Sequence, residues 1–534
     1  MAKLQIICDI LRNLWLFLYL CTKFHQKGII LKTIIRFILL LILTLPIQAQ
    51  PRQWQVSSPK HEVRAVWLTT IGGIDWPHSH SAAAQKQELI QILDQLQKAN
   101  INTILFQTRV RATTVFPSDM EPWDACLTGK AGNSPGYDAL QFCIDECHKR
   151  GMECHAWIVT IPVGKWNTYG CQQLRKKLPK LIVKVGDEGY MNPEKPETGD
   201  YLARFCREVT RRYDVDGIHL DYIRYPETWK LKVSRPQGRQ YITDIVRKIH
   251  RAVKGEKTWV KMSCSPIGKY DDLPRYKSSG WNANTTVCQD AQGWMRDGLM
   301  DALFPMMYFQ GNNFYPFAVN WKEFSYGRIV APGLAVYMLH PREKNWDLSV
   351  IQREMYVLRE LEIGCTFFRS KFFTDNTKGI YSFTKDFNEV PALVPPMTWE
   401  KKQVPAAPVQ LDIQRGMTAD RLVWWGARDR SGGDYLLYNI YASPDYPVDI
   451  VKAECLVASR LRGESLSIPH NGRPLNYAVT AMDRFGNESS PVCTMKASHT
   501  KPKVDFRELI MGKPKPKGKA TSKTKSKSKK RNKR

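Results

Sequence analysis

A chain of 534 residues is too long for one compact domain, and its 43% hydrophobic and 11% aromatic content excludes a wholly disordered or fibrous protein. The net charge of +28 points to an acidic partner, but residues 513–534 alone carry twelve Lys or Arg and no acid. Without that tail the body is only mildly basic, which argues against specific nucleic-acid binding.

At the N-terminus, Lys27, Lys32 and Arg36 precede the apolar run 37–45, and Pro46-Ile47-Gln48-Ala49-Gln50 follows it. This is the order of a signal peptide cleaved after Ala49, so residues 1–49 read as a leader. The run is short for a bilayer span. An uncleaved anchor that also uses the apolar stretch 11–21 is the alternative. The mature chain is expected to be exported to the periplasm or cell envelope without a transmembrane span.

From residue 63 onward, strand-like and helix-like segments alternate. Strands are predicted at 63–70 (VRAVWLTT), 101–110 (INTILFQTRV), 151–160 (GMECHAWIVT), 215–222, 259–266 (WVKMSCSP), 301–309 (DALFPMMYF), 328–337 (RIVAPGLAVY) and 365–373 (CTFFRSKFF). Helices are predicted at 82–99, 137–150, 196–213, 235–254, 288–297 and 348–363, with a polar excursion that includes 181–185. Eight strands in this rhythm predict a (β/α)₈ TIM barrel over residues 60–390. A doubly wound open sheet would place a Gly-rich phosphate turn after an early strand, and the sequence has none.

A Pro-rich linker, 391–408, announces a second unit over 409–498. Short β runs at 421–425, 435–442, 466–469 and 477–483 predict a small all-β sandwich. "LNYAVTAMDRFGNES" resembles the Tyr-corner strand and hairpin of fibronectin type III domains, with Trp424 as the core tryptophan. Residues 499–534, Lys-rich and nearly devoid of apolar side chains, read as a disordered tail.

In a barrel of this kind the chemistry sits where the strands end. In "DVDGIHLDYIRYPE" (214–227) the period of two puts Gly217, His219 and Asp221 on one face, and Ile218 and Leu220 on the other. His219 and Asp221 are therefore expected inside the barrel, with Asp221 at its mouth as a catalytic carboxylate. Glycosidic cleavage needs two carboxyls at a defined separation. Glu121, on the loop after the second strand, is the favoured second one. Asp119, Asp124, Asp75 and Asp375 remain open alternatives, and Asp301 is set aside because it opens its strand.

Arg109, Gln107, His155, Trp157, Arg224, Tyr308 and Gln310 lie in or just after strands, and Trp76 on a loop. With His219 they are expected to line a sugar-binding cleft, where aromatic faces stack on rings and polar groups take hydroxyls. Of thirteen cysteines two lie in the leader, and the other eleven, scattered, read as small buried hydrophobes with at most one or two disulfides. Cys143, Cys147, His148, Cys154 and His155 cluster locally, but their spacing matches no familiar zinc site, so no metal and no cofactor is expected.

Six ordered blocks, "EVRAVWLTTIGGIDWP", "NTILFQTRV", "PWDACLTG", "GYDALQFCIDECHKRGMECHAW", "YMNPEKPETGDYL" and "YDVDGIHLDYIRYP", make the segment 62–388 resemble the glycosyl hydrolase-like 10 family of secreted bacterial barrels. The resemblance implies a glycoside hydrolase, with a bacterial cell-wall glycan, notably peptidoglycan stripped of peptides, as a substrate of some members. It places Asp221 on the family's acidic position and Asn192-Pro193 on its Asn-Pro turn, a pocket wall. Many members carry a second Asp where this chain has Tyr222, which leaves Asp221 to carry the role alone.

The leading expectation is therefore a glycoside hydrolase acting on a cell-envelope polysaccharide, its basic tail drawn to anionic envelope polymers. The alternative is a non-catalytic glycan-binding or scaffold protein on the same barrel.

Overall fold

The alternation of strands and helices closes on itself. In the computed structural model, which describes residues 57–274, 281–428, 435–470, 472–473 and 475–494, eight strand positions follow in order. They are β1 (Arg64–Leu68), β2 (Thr103–Arg109), β3 (Glu153–Val159), β4 (Gly217–Asp221), β5 (Lys261–Cys264), β6 (Ala302–Leu303), β7 (Ile329–Val330 with Gly333–Leu334) and β8 (Cys365–Phe367). All pairings between neighbours are parallel, and β8 returns to β1 with Arg64 opposite Cys365. The leader (1–49) and the basic tail (499–534) lie outside the described residues.

Strand β7 is split because Pro332 has no N–H for the ladder. Its first half pairs with β6 and its second with β8. Hydrogen bonds nevertheless run along both sides of the break: Gly333 N–H donates to Pro305 O, and Thr366 N–H to Pro332 O. The barrel is therefore closed. The long strands expected at 301–309 and 365–373 are shorter than their apolar runs. Only Ala302–Leu303 is strand in the first, and Ser370–Thr374 is a helical turn in the second.

Side-chain alternation sorts the core into two layers. Ala65, Trp67, Leu105, Trp157, Val159, Ala302, Phe304, Ile329 and Ala331 fill the lumen. Their neighbours Val66, Ile104, Phe106, Ala156, Ile158, Ile218 and Leu220 face the surrounding helices. The polar excursion after β3 is ordered. Pro162–Lys165, Ile182–Val185 and Glu188–Met191 form a small antiparallel sheet beside the barrel mouth.

Among the described residues beyond 408, seven strands form two antiparallel sheets, of three and four strands. Trp424 is fully buried between them, and the Tyr477 hydroxyl donates to Asp420 Oδ2 at 2.9 Å. This sandwich rests on the N-terminal end of the barrel. Arg460 donates to Glu153 and Asp216, at the feet of β3 and β4, while Arg462 and Arg484 share Asp214. The linker 391–408 is packed too. Glu62 N–H donates to Leu393 O, and Trp399 Nε1 donates to Asp301 at the foot of β6. The opposite end of the barrel is left to the loops.

Candidate active site

Asp221 closes β4 at that free end, 7% exposed. Three donors hold its carboxyl. Ser265, just past β5, donates to Oδ1 at 2.8 Å, the Tyr222 N–H donates to Oδ1 at 2.8 Å, and Trp157 Nε1 on β3 donates to Oδ2 at 3.2 Å. Tyr222 takes a left-handed backbone (φ 54°), uncommon for a bulky side chain, directly after the carboxyl to which its N–H donates. Burial pushes the Asp221 carboxyl above the ordinary Asp value, and the Ser265, Arg224, Tyr222 and Trp157 contacts pull it partway back. Such a group can hold a proton for a leaving oxygen and, once ionised, still has three donors to stabilise its charge.

The surroundings are aromatic and cationic. Tyr308 lies after β6, its ring 5.7 Å from Tyr337 and 5.4 Å from Phe368, which end β7 and β8. Burial, reinforced by the charges of Tyr337, Asp221 and Tyr222, holds the Tyr308 phenol well above its ordinary value. Arg224 lies over the Tyr222 ring at 4.3 Å and pairs with Glu227 at 2.7 Å. Gln310 is exposed at the same rim.

Other expected site residues have different work. Glu121 and Arg109 form a buried bidentate pair, with side chains 1% and 0% exposed. Arg109 also donates to Val159 O and Thr160 O, and the Tyr201 hydroxyl donates to Glu121. This pair ties the loop after β2 to the end of β3 and turns no free oxygen toward Asp221. Gln107 accepts from the Thr70 and Ile71 N–H groups and so fixes the loop after β1. Asn192 accepts from Glu194 N–H as a local turn.

His219 and His155 do face the lumen, but deep inside it. His219 is fully buried, accepts from Trp67 Nε1 at 3.2 Å and lies 3.0 Å from Ser263 Oγ. His155 contacts Glu153 near the foot of β3. Both belong to the packed barrel interior beneath the site, where no sugar reaches, contrary to the expectation that they line the cleft. Trp76 is likewise fully buried, against Phe106, with Nε1 donating to Gln85 O. It is part of the helix layer and not of a sugar-stacking wall.

Asp75 is held by Arg369 and the Thr69 N–H. Cys143, Cys147 and Cys154 bring their sulfurs within 4.8 Å of one another, the one such group among the described residues. They are buried between a helix and the outer face of β3, on the far side of the barrel wall from Asp221. Sequence reasoning missed Ser265, Tyr337 and Phe368. The strand-end rule that found Asp221 applies to all three.

A closed (β/α)₈ barrel with a buried, donor-held carboxyl at its C-terminal end and an aromatic rim has the layout of a glycoside hydrolase, and the sequence matches give the same class. Residues 62–234 match the glycosyl hydrolase-like 10 family model. Glycosyl hydrolase YngK of Bacillus subtilis (strain 168) is 28% identical over 504 residues, covering 86% of this chain and 98% of that protein. Glycosyl hydrolase DigH of Escherichia coli (strain K12) is 31% identical over 287 residues, covering 46% of this chain and 65% of that protein's length. Among solved structures, the PgaB (BpsB) glycoside hydrolase domain of Bordetella bronchiseptica superposes with a TM-score of 0.43 at 11% identity, over 61% of this chain and 98% of that one.

Proposed function

We propose that this glycoside hydrolase cleaves a polysaccharide of the bacterial cell envelope, with peptidoglycan glycan strands as its substrate, and that Asp221 carries the acid/base or nucleophilic step. The observation that carries this is the Asp221 carboxyl itself: buried, raised, held by three donors, and at the barrel end the sandwich leaves open. Glu227 enters its network through Arg224 and Tyr222 and is the second carboxylate we assign. Glu121, committed to Arg109, positions the loop after β2 in this reading. Tyr308, Tyr337 and Phe368 supply the apolar wall for sugar rings.

The leader read from residues 1–49 fits export, among the described residues no helix is long and apolar enough to cross a membrane, and the basic tail fits attraction to anionic envelope polymers. The sandwich, a three-stranded and a four-stranded antiparallel sheet packed around Trp424, fits a fibronectin type III-like docking module.

The test is release of new reducing ends from peptide-free peptidoglycan strands. Wild type should release them. Asp221→Asn and Glu227→Gln should lose turnover by roughly 10² or more with the fold intact. Full activity in Asp221→Asn would sink the assignment. Wild type that binds the strands and releases nothing would make the barrel a non-catalytic glycan-binding protein.

A further inference from the structure

Buried cations in this barrel come with their anions. Six Lys or Arg residues among the described residues are buried, and five pair with a carboxylate: Arg64 and Arg359 with Glu62, Arg109 with Glu121, Arg224 with Glu227, and Lys261 with Glu153. The sixth is Lys269, 4% exposed. Its ammonium donates to the carboxamide oxygen of Asn313 at 2.7 Å, and among the described residues no carboxylate lies within ion-pair distance. The faces of Phe309 and Phe317 lie 5.3 and 4.9 Å from Nζ. Aromatic faces attract a cation but do not neutralise it. Burial lowers the ammonium's affinity for its proton, and the charge of Asp272 offsets this only in part. A buried ammonium left without a counter-ion is costly, and folding alone gives no reason to retain it.

Its position supplies a reason. Lys269 follows β5 at the same end of the barrel as Asp221. Ser265, which holds Asp221, is four residues earlier, and Ile267 between them still pairs with Met306 beyond β6. Lys269 lies four residues past Ser265, beyond the last strand pairing of β5, so the Cα atoms of the two are at most about 14 Å apart. Asn313 is exposed, and with its oxygen accepting from Lys269, its amide N–H groups remain available to an incoming acceptor.

We propose that Lys269 and Asn313 form a subsite for the carboxylate of an acidic sugar, away from the bond that is cut. One ammonium and one neutral amide match a singly charged group, and the flanking Phe309 and Phe317 suit a sugar ring bearing it. The missing counter-ion of Lys269 is then the substrate itself. This rests on the glycosidase reading and narrows it to glycans that carry carboxylates.

The experiment compares peptide-free peptidoglycan fragments, which carry a carboxylate, with the same fragments after reduction of their carboxyls. Turnover and calorimetric binding are measured for wild type, Lys269→Met and Lys269→Arg. Wild type should prefer the acidic fragments. Lys269→Met should raise KM and Kd for them by about tenfold or more while leaving kcat and the reduced fragments nearly unchanged. Lys269→Arg should keep most of the preference. Equal weakening on both fragment types, or no change on either, overturns the subsite. If wild type turns over neither, the glycosidase reading fails, and calorimetry still decides: a Lys269-dependent preference for the acidic fragments upholds the subsite, and its absence overturns it.

Discussion

Ser265 donates its hydroxyl to Asp221 Oδ1 at 2.8 Å, bridging the ends of β5 and β4. This hydrogen bond does the most to hold the buried Asp221 carboxyl down against the upward push of burial. Removing the hydroxyl in Ser265→Ala therefore raises the Asp221 pKa further. The pH–rate limb that belongs to Asp221 should move to higher pH, and Trp157→Phe should move it the same way. If the acidic limb moves, Asp221 works ionised; if the basic limb moves, it works as a proton donor. A profile of kcat/KM that keeps both limbs in place in both variants refutes the role.

The Arg109–Glu121 pair makes a contrasting prediction. With side chains 0% and 1% exposed, each charge depends on the other. Glu121→Gln or Arg109→Met should cost about 3–5 kcal/mol in denaturant unfolding, because each leaves an unpaired buried charge. The double variant should cost less than the sum of the singles. A Glu121→Gln enzyme with native stability and abolished turnover would instead make Glu121 a catalytic group.

What the sequence discloses about this site is direction, not depth. The alternation in "GIHLD" assigns His219 and Asp221 to the lumen, and both are there. Two residues along a strand is about 6.6 Å, and that separates the packed interior from the mouth. His219 meets Trp67 and Ser263, which come from strands far away in sequence, and no local pattern encodes those meetings. The same holds for Trp76, an aromatic in a loop whose ring turns into the helix layer. Glu121 reads as a free loop acid until Arg109 folds back to it. Lys269 is hidden for the converse reason, since a lysine after a strand looks solvated until its neighbours and its lack of a carboxylate are seen. The barrel itself is more legible because eight alternations repeat one signal. Even there, Pro332 splits β7 where apolar content alone predicts a continuous strand.

The sandwich is held to the barrel by buried charge, and acid should release it. Burial opposes ionisation of Glu153 and Asp216, but Lys261 and Arg460 on Glu153, and Arg460 and His148 on Asp216, outweigh it. Glu153 is lowered to about 2, and Asp216 lies well below 3.8. Depressed carboxylates contribute stability above their unfolded values, here 4.5 and 3.8, and lose it as pH falls toward the folded ones. Arg460→Met removes a shared cation, so its acid unfolding should begin at higher pH than that of wild type. At neutral pH it should cost about 3–5 kcal/mol. Far-ultraviolet circular dichroism, followed against pH, reads the transition. Coincident acid transitions in the two proteins would refute the role given to Arg460.

His219 sets a second, separate pH window. Its burial, helped by the charge of His155, holds its pKa well below 6.5, so the folded barrel keeps it neutral. Below about 6.5 the unfolded chain takes up a proton that the folded chain refuses, so stability falls as pH drops, by up to about 1.4 kcal/mol per pH unit. His148 is raised instead, so its contribution is complete below 6.5 and is lost only at higher pH. Glu153 and Asp216 act below 4.5. Between pH 6.5 and 5 the depressed histidines, His61 and His250 as well as His219, make stability fall with pH, while the raised carboxyls of Asp75, Asp221 and Glu354 act in the opposite sense. His219→Gln keeps an acceptor for Trp67 and removes one titrating group, so the difference between the two proteins isolates His219. Its unfolding free energy should fall less steeply than that of wild type across that window. Parallel slopes would mean that His219 takes its proton in the folded barrel, and that the Trp67 and Ser263 contacts do not keep it neutral.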